Sequence, residues 1–258
     1  MEKKKLPITD IFLTSILLPF YRIKALLRLT WPYILLNISQ LMFVDVEFYQ
    51  HNTLAVFTYW LVLMVVSVIT AVNCHRIFLL SDEEVEQTKL FRWNSNDTNF
   101  LVRLIKLGLF ACILSIPFAF IMFGVFSKGD YFTDSPFTYV LLVTVLYLPV
   151  SYFLARLSIS LPDAAVGEDR SSGWSWGIST GQSFRLFILL CILPTITNLT
   201  LTGIQNVIGD YYVLNFVISL VWLIIAAIEL CLLSKSYDWL ISNQEKQLDN
   251  IDKVELTG

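Results

Sequence analysis

One acidic residue, Glu229, lies well inside an apolar stretch of the chain, and its type and position could support chemistry. A charged side chain at the bilayer centre costs about 2.5–3.5 kcal/mol on insertion scales, so such residues are usually paired or functional. Glu229 comes one turn and a half before Ser234, about 7.5 Å along a helix. We expect Arg156, Arg185 and Lys235 at nearly the same depth. An ion pair is the favoured interpretation. The alternatives are a proton or substrate site and a neutral, protonated carboxyl.

A second set of polar side chains follows Pro194 in another apolar segment: Thr195, Thr197, Asn198, Thr200 and Thr202. Hydroxyl and amide groups in lipid find partners on neighbouring helices, so this segment is predicted to face other helices. Contact between helices is the favoured role, and a polar path for a substrate is the alternative. Glu229, Arg156, Arg185 and Asn198 together form the candidate intramembrane polar site.

Catalytic chemistry has little support in the sequence. The chain has only two histidines, His51 and His75, so no histidine cluster is available for a metal. Cys74 and His75 are adjacent, and neighbours on a helix do not face each other. The acidic run Asp82–Glu86 is predicted to be a solvated loop. No nucleophile elbow, phosphate-binding glycine loop or HExxH motif is present. We therefore expect no enzyme, no cofactor and no metal.

The elements that would position these residues are predicted to be membrane-spanning helices. The chain has 258 residues, of which 56% are hydrophobic and only 15% charged. Soluble domains average about 25% charged residues. Six apolar stretches are each long enough to cross a bilayer core of roughly 30 Å. They are Leu27–Val44, Leu54–Asn73, Leu107–Phe126, Phe137–Ala155, Leu186–Ile204 and Val213–Ser234. The sequence predicts an all-α, polytopic membrane protein with one domain, 1–258.

The connections between these spans differ in their content of Lys and Arg. Three short loops contain a single cation, Lys128, together with several acidic residues: Asp45, Glu47, Asp130, Asp134 and Asp210. By the positive-inside rule these loops face away from the cytoplasm, so both termini lie inside it. The spans then form three hairpins, each entered from the cytoplasm. No basic run suits nucleic acid, and the lipid bilayer is the expected partner.

The cytoplasmic connections are predicted to contain interfacial helices. Trp174, Trp176 and Trp93 lie in them, and tryptophan prefers the headgroup layer. The N-terminal segment, 1–26, is predicted to be an interfacial helix bent at Pro19. The tail, 236–258, is predicted to be a short helix that frays.

A family resemblance comes from two motifs. The segment Ala155–Gly167, followed by Trp176, Thr180-Gly181 and Arg185-Leu186, resembles a pattern in which Arg-x-Ser-Leu-x-Leu-Pro-Ala precedes a Trp-x-x-Thr-x-Gly helix. The segment His75–Leu80 is similar to a Trp-His-Arg-Phe-x-Leu-Leu-Gly-Glu pattern. Both are typical of bacterial six-pass, YciC-like membrane proteins and of the membrane domain fused to some glycerophosphodiester phosphodiesterases. The resemblance implies a bacterial inner-membrane location and no site residues, since the catalytic barrel of those phosphodiesterases is absent.

Two functional hypotheses of different classes follow. The leading one is a non-catalytic inner-membrane protein that acts as a partner or scaffold in envelope maintenance, with a membrane protein as its partner. The alternative is a small carrier for a lipid or solute, suggested by Glu229, the threonine-rich segment and the prolines within spans. The sequence leaves the oligomeric state open.

Overall fold

The structure is a computed structural model that describes residues 5–43, 53–90, 93–126, 136–168, 170–208 and 212–255. Within these ranges the fold is all-helical. Its α-helices, in chain order, are α1 (Ile8–Tyr21), α2 (Ile23–Phe43), α3 (Thr53–Leu79), α4 (Asp82–Gln87), α5 (Ser95–Phe126), α6 (Pro136–Leu157), α7 (Ser160–Ala165), α8 (Ser172–Ile178), α9 (Ser183–Phe187), α10 (Leu193–Ile208) and α11 (Tyr212–Glu255).

Five helical segments are long and apolar enough to cross a membrane: Thr53–Leu79, Ser95–Ile121, Leu142–Ala165, Ser183–Ile208 and Phe216–Lys246. They leave most of their apolar surface outward. In the second of them, no residue of the most apolar window is buried. A helix that is apolar all round is typical of a protein interior or a membrane span. The outward apolar surface therefore fits contact with lipid.

The predicted first span, Leu27–Val44, overlaps α2, which is not among those five segments. The physical reason is its composition. Within its length α2 carries Arg28, and toward its end Asn37, Ser39 and Gln40, all of which lower its mean hydropathy.

The core consists of three clusters of buried side chains, and each includes a residue in or beside a short helix: Ile159, Val85 and Ala164. The long helix α11 lies at the centre, because α1, α3 and α10 all pack against it. Helix α2 packs on α3, and α5 packs on α6 and α7. The short helices thus complete the core between the long helices.

A π-helical turn, Ile188–Ile192, joins α9 to α10. Pro194 follows it and has no N–H to donate, and its ring would clash with the carbonyl four residues earlier in a regular α-helix. That carbonyl belongs to Leu190, inside the wider turn. The π turn therefore coincides with the place where proline disturbs the helix.

The structure describes most of both ends of the chain. Helix α1 continues past Pro19 to Tyr21 with its Ile11 face buried. At the other end α11 runs unbroken through Lys235 to Glu255, so the described part of the tail continues the helix that precedes it. The charged residues of the three short loops lie outside the described ranges: Asp45, Glu47, Lys128, Asp130, Asp134 and Asp210. His51 lies outside them as well.

Candidate functional site

Glu229 borders a pocket of about 560 Å³ between the helices. We call it the Glu229 pocket. Its walls come from the end of α1, from α2 and α3, from the π turn and the start of α10, and from α11. Representative lining residues are Pro19, Leu26, Thr70 and Pro194. This volume lies within the range of about 300–1,000 Å³ that is usual for small-molecule sites.

The walls of the Glu229 pocket are mostly apolar, and several of their hydroxyl groups are already hydrogen-bonded. Thr30 donates to the Leu26 carbonyl at 2.8 Å, and Ser67 donates to the Leu63 carbonyl at 2.6 Å. Each of these bonds reaches back one turn within the same helix. Such hydroxyls need no further partner to be satisfied as donors. Glu229 supplies the one carboxyl among the described lining residues.

The Glu229 carboxyl is only partly satisfied. The side chain of Asn198 on α10 interacts with it. Its Oε1 atom is buried and has no hydrogen-bond partner among the described residues. A buried acceptor without a donor costs roughly 1–3 kcal/mol. The structure thus brings together two of the four predicted site residues, and one buried oxygen of the carboxyl beside the pocket has no donor among the described residues.

The Glu229 pocket is open at the side. Phe20, Leu27 and Ile224 line it and are nevertheless 51%, 52% and 45% exposed. These residues belong to α1, to α2 and to the part of α11 that is long and apolar enough to cross a membrane. An apolar molecule could therefore enter between these helices from the hydrocarbon layer.

The cations proposed to pair with Glu229 have other partners. Lys235 lies 3.2 Å from Asp238, and Arg185 donates to the Leu6 carbonyl at 2.6 Å. Arg156 interacts with α8 and its flank. Among the described residues, none of these three forms a salt bridge with Glu229.

Arg156 is held by a planar set of contacts. Its guanidinium carbon lies 3.4 Å from the centroid of the Trp176 ring. Its Nε donates to Ser179 Oγ at 2.9 Å, and its Nη2 donates to the Trp176 carbonyl at 2.6 Å and to Thr180 Oγ1 at 3.2 Å. Stacking and forked donation at once are a property of arginine and not of lysine. Arg156 therefore fixes α8 against α6.

Other arginines act in a similar way, by donating to main-chain carbonyls at or near helix C-termini. Arg22 donates to the carbonyls of Ile77 and Leu80, at the end of α3. Arg76 donates to the Ala165 carbonyl at 2.8 Å, at the end of α7. The last carbonyls of a helix have no partner within it, and cations are favoured there. These arginines tie the short helices to the long ones.

Asp163 is a buried side chain with several hydrogen bonds that the sequence did not single out. It is fully buried and accepts from Arg103 Nη1 at 2.8 Å, from Tyr237 Oη at 3.1 Å, and from the backbone N–H and Nη1 of Arg170 at 3.3 and 3.4 Å. The Arg170 guanidinium carbon in turn lies 4.9 Å from the Trp174 ring centroid. This cluster links α5, α7 and α11. All its contacts are internal, and we interpret it as structural.

The remaining sequence candidates are placed as follows. His75 is buried, with Nδ1 2.8 Å from Ser234 Oγ, whereas its neighbour Cys74 lines the Glu229 pocket. Asp82 pairs with Arg22 at 2.8 Å. Glu84 accepts from Ser81 in a capping box, and these hydrogen bonds hold the pKa of Glu84 below its ordinary value. No group of three or more His, Cys, Asp or Glu in the described part of the chain could hold a metal ion.

Sequence reasoning identified Glu229 but missed the pocket around it. The signal that could have helped is the pair of small residues Ala226 and Ala227, which precede Glu229 and leave space beside α11.

Comparison of the chain with protein-family models, with curated proteins and with solved structures gave no match.

Proposed function

We propose that the chain is a non-catalytic, multi-pass membrane protein that holds a lipid or lipid-like solute in the Glu229 pocket and acts as a small carrier. The single observation that carries this proposal is the pocket, which is open at the side, mostly apolar, and bordered by Glu229, whose buried Oε1 has no partner among the described residues. A ligand site with apolar walls and a few polar groups is the usual form of a small-molecule site. The contact between the Ser234 hydroxyl and the His75 imidazole gives no support to an enzyme, because both residues are fully buried.

Transbilayer movement of a fluorescent lipid tests the carrier. The probe is phosphatidylethanolamine labelled on an acyl chain, in vesicles that contain the purified protein. We expect the wild type to accelerate its movement and Ala227→Phe, which fills the pocket, to abolish the acceleration. Ala119→Phe is the matched control, because Ala119 lies exposed on α5 and does not line the pocket. Equal rates for both variants would contradict the proposal.

A scaffold is the second candidate, and the length of α11 favours it. Its 44 residues extend about 66 Å, roughly twice the hydrocarbon thickness of a bilayer. The part that follows Lys246 contains Gln247, Asp249 and Asp252 and is polar enough to project into water. Such a helix could present a surface to a partner. Crosslinking followed by mass spectrometry should capture that partner with the whole chain and lose it after truncation at Lys246.

The finer topology is also proposed. Six spans in three hairpins, with both termini in the cytoplasm, are supported by the charge distribution and by arginines that contact helix ends. The motif resemblance to YciC-like proteins supports a bacterial inner membrane. The orientation can be tested by replacing either Lys3 or Lys128 with cysteine in a variant that lacks the four native cysteines. An impermeant maleimide should label Lys128→Cys in intact cells and Lys3→Cys only after lysis; the reverse result would overturn the orientation.

A further inference from the structure

We infer that the Glu229 pocket selects a primary amine attached to an alkyl chain, with the protonated amine at Glu229 and the chain along the apolar walls. This inference rests on the proposed function and adds to it the class of ligand. Two observations carry it: the state of the Glu229 carboxyl and the charge of the residues around the pocket.

The first observation is the unsatisfied carboxyl oxygen. Glu229 Oε1 is buried and lacks a donor among the described residues, although Asn198 interacts with the same carboxyl. A ligand that brings an N–H donor would satisfy this atom. A protonated amine has three such donors and also supplies the opposite charge, so its hydrogen bond is of the stronger, charge-assisted kind.

The second observation is the absence of cations from the lining. None of the described residues that line the Glu229 pocket is Lys, Arg or His. The nearby cations are engaged elsewhere: Lys235 with Asp238, Arg156 with Trp176, and Arg185 with the Leu6 carbonyl. A ligand with an anionic headgroup would meet Glu229 without any compensating charge. The lining therefore disfavours fatty acids and other lipids whose only charge is negative.

The shape of the pocket accounts for the alkyl chain. Leu26, Ile34 and Leu223 are among its lining residues, and the exposed Phe20 and Leu27 mark its open side. A hydrocarbon chain that leaves the bilayer exchanges one apolar surrounding for another. Selectivity between ligands then depends on the headgroup of the ligand, which would contact the Glu229 carboxyl.

Binding of three matched amphiphiles tests the inference. The probes are a primary amine, an alcohol and a carboxylate with the same alkyl chain, titrated into the purified full chain in nanodiscs and followed by native mass spectrometry. We expect the amine to bind about tenfold more tightly than the alcohol, a difference of about 1.4 kcal/mol, and the carboxylate to bind least. In Glu229→Gln, the amine and the alcohol should bind alike.

The outcomes separate this inference from the proposed function. Two results would refute the inferred selectivity for amines but leave the pocket as the proposed ligand site. One is equal binding of amine and alcohol to the wild type, and the other is a preference for the amine that persists in Glu229→Gln. If Ala227→Phe binds all three probes as the wild type does, the ligand does not bind in the Glu229 pocket and the proposed function is refuted.

Two nanodisc compositions distinguish the sources of such an amine. Selective retention of phosphatidylethanolamine over phosphatidylcholine, which has no N–H donor, supports the inference with a membrane lipid as ligand. Retention of the alkyl amine alone supports it with a soluble amphiphile as ligand.

Discussion

Arg103 on α5 and Asp163 on α7 form a buried ion pair, with Nη1 and Oδ2 2.8 Å apart and the two side chains 9% and 0% exposed. Arg103 also donates to the carbonyls of Ser160 and Glu168, at 2.6 and 3.1 Å. One guanidinium thus holds both ends of the segment that contains α7.

Replacing Asp163 by Asn should strongly destabilise the protein. Removing one partner of a buried pair leaves the other charge uncompensated and costs about 3–5 kcal/mol. The free energy of unfolding, measured by titration with SDS, checks this. Asp238→Asn is the control, since Asp238 is 52% exposed and pairs with Lys235 at the surface. That change should cost at most about 1 kcal/mol. Equal losses in the two variants would refute a structural role for the buried pair.

Arg156→Lys should lower stability although the charge is retained. Lysine cannot stack a planar group on Trp176 or reproduce the forked donation to Ser179 and Thr180. We expect a loss of about 2 kcal/mol, from stacking and charged hydrogen bonds together. Arg28→Lys is the control, because Arg28 is exposed and donates to the Val85 carbonyl at 2.7 Å without stacking on a ring among the described residues. A thermal melt in detergent in which both variants match the wild type would exclude this role.

Gly167→Ala and Gly108→Ala should change stability in opposite directions. Gly167 has a φ of +92°, beside the Asp163 cluster, and a Cβ there would lie 2.7 Å from Asn96 Nδ2. The left-handed conformation alone costs a residue other than glycine about 1–2 kcal/mol. Gly108 lies within α5 with open space around it, so alanine there should gain about 0.5–1 kcal/mol. Unfolding by SDS measures both, and a gain at Gly167 would contradict the described turn.

Glu229→Gln should leave the stability of the empty protein unchanged or increase it. Glu229 forms no ion pair with the described residues, so the substitution removes a partly buried carboxyl without stranding a cation. The same SDS titration distinguishes this from the ion-pair interpretation of the sequence. A loss of about 3 kcal/mol or more, comparable to that expected for Asp163→Asn, would favour the ion pair after all.

The sequence predicted the helical class and most of the spans, because apolar length and charge distribution are local properties. It also placed Glu229 within a span. It could not pair Asp163 with Arg103, which lie 60 residues apart and meet only after α5 and α6 have packed together. The surroundings of Glu229 depend on the rotation of α11 about its own axis and on five separate wall segments. Neither the rotation nor the walls follows from periodicity along one helix.

The partners of Arg156 and Arg185 also could not be predicted from the sequence. Their predicted depth suggested Glu229 as a partner. The structure gives them main-chain carbonyls instead, at Trp176 and Leu6. Such partners have no signature in the sequence.

Native mass spectrometry of the gently extracted protein tests the central claim most directly. We expect a single chain that retains a small amphipathic molecule, with the same molecule present in Ala119→Phe and absent from Ala227→Phe. Retention of that molecule by Ala227→Phe, or a stoichiometric protein partner with an empty pocket, would contradict the carrier. The second result would favour the scaffold.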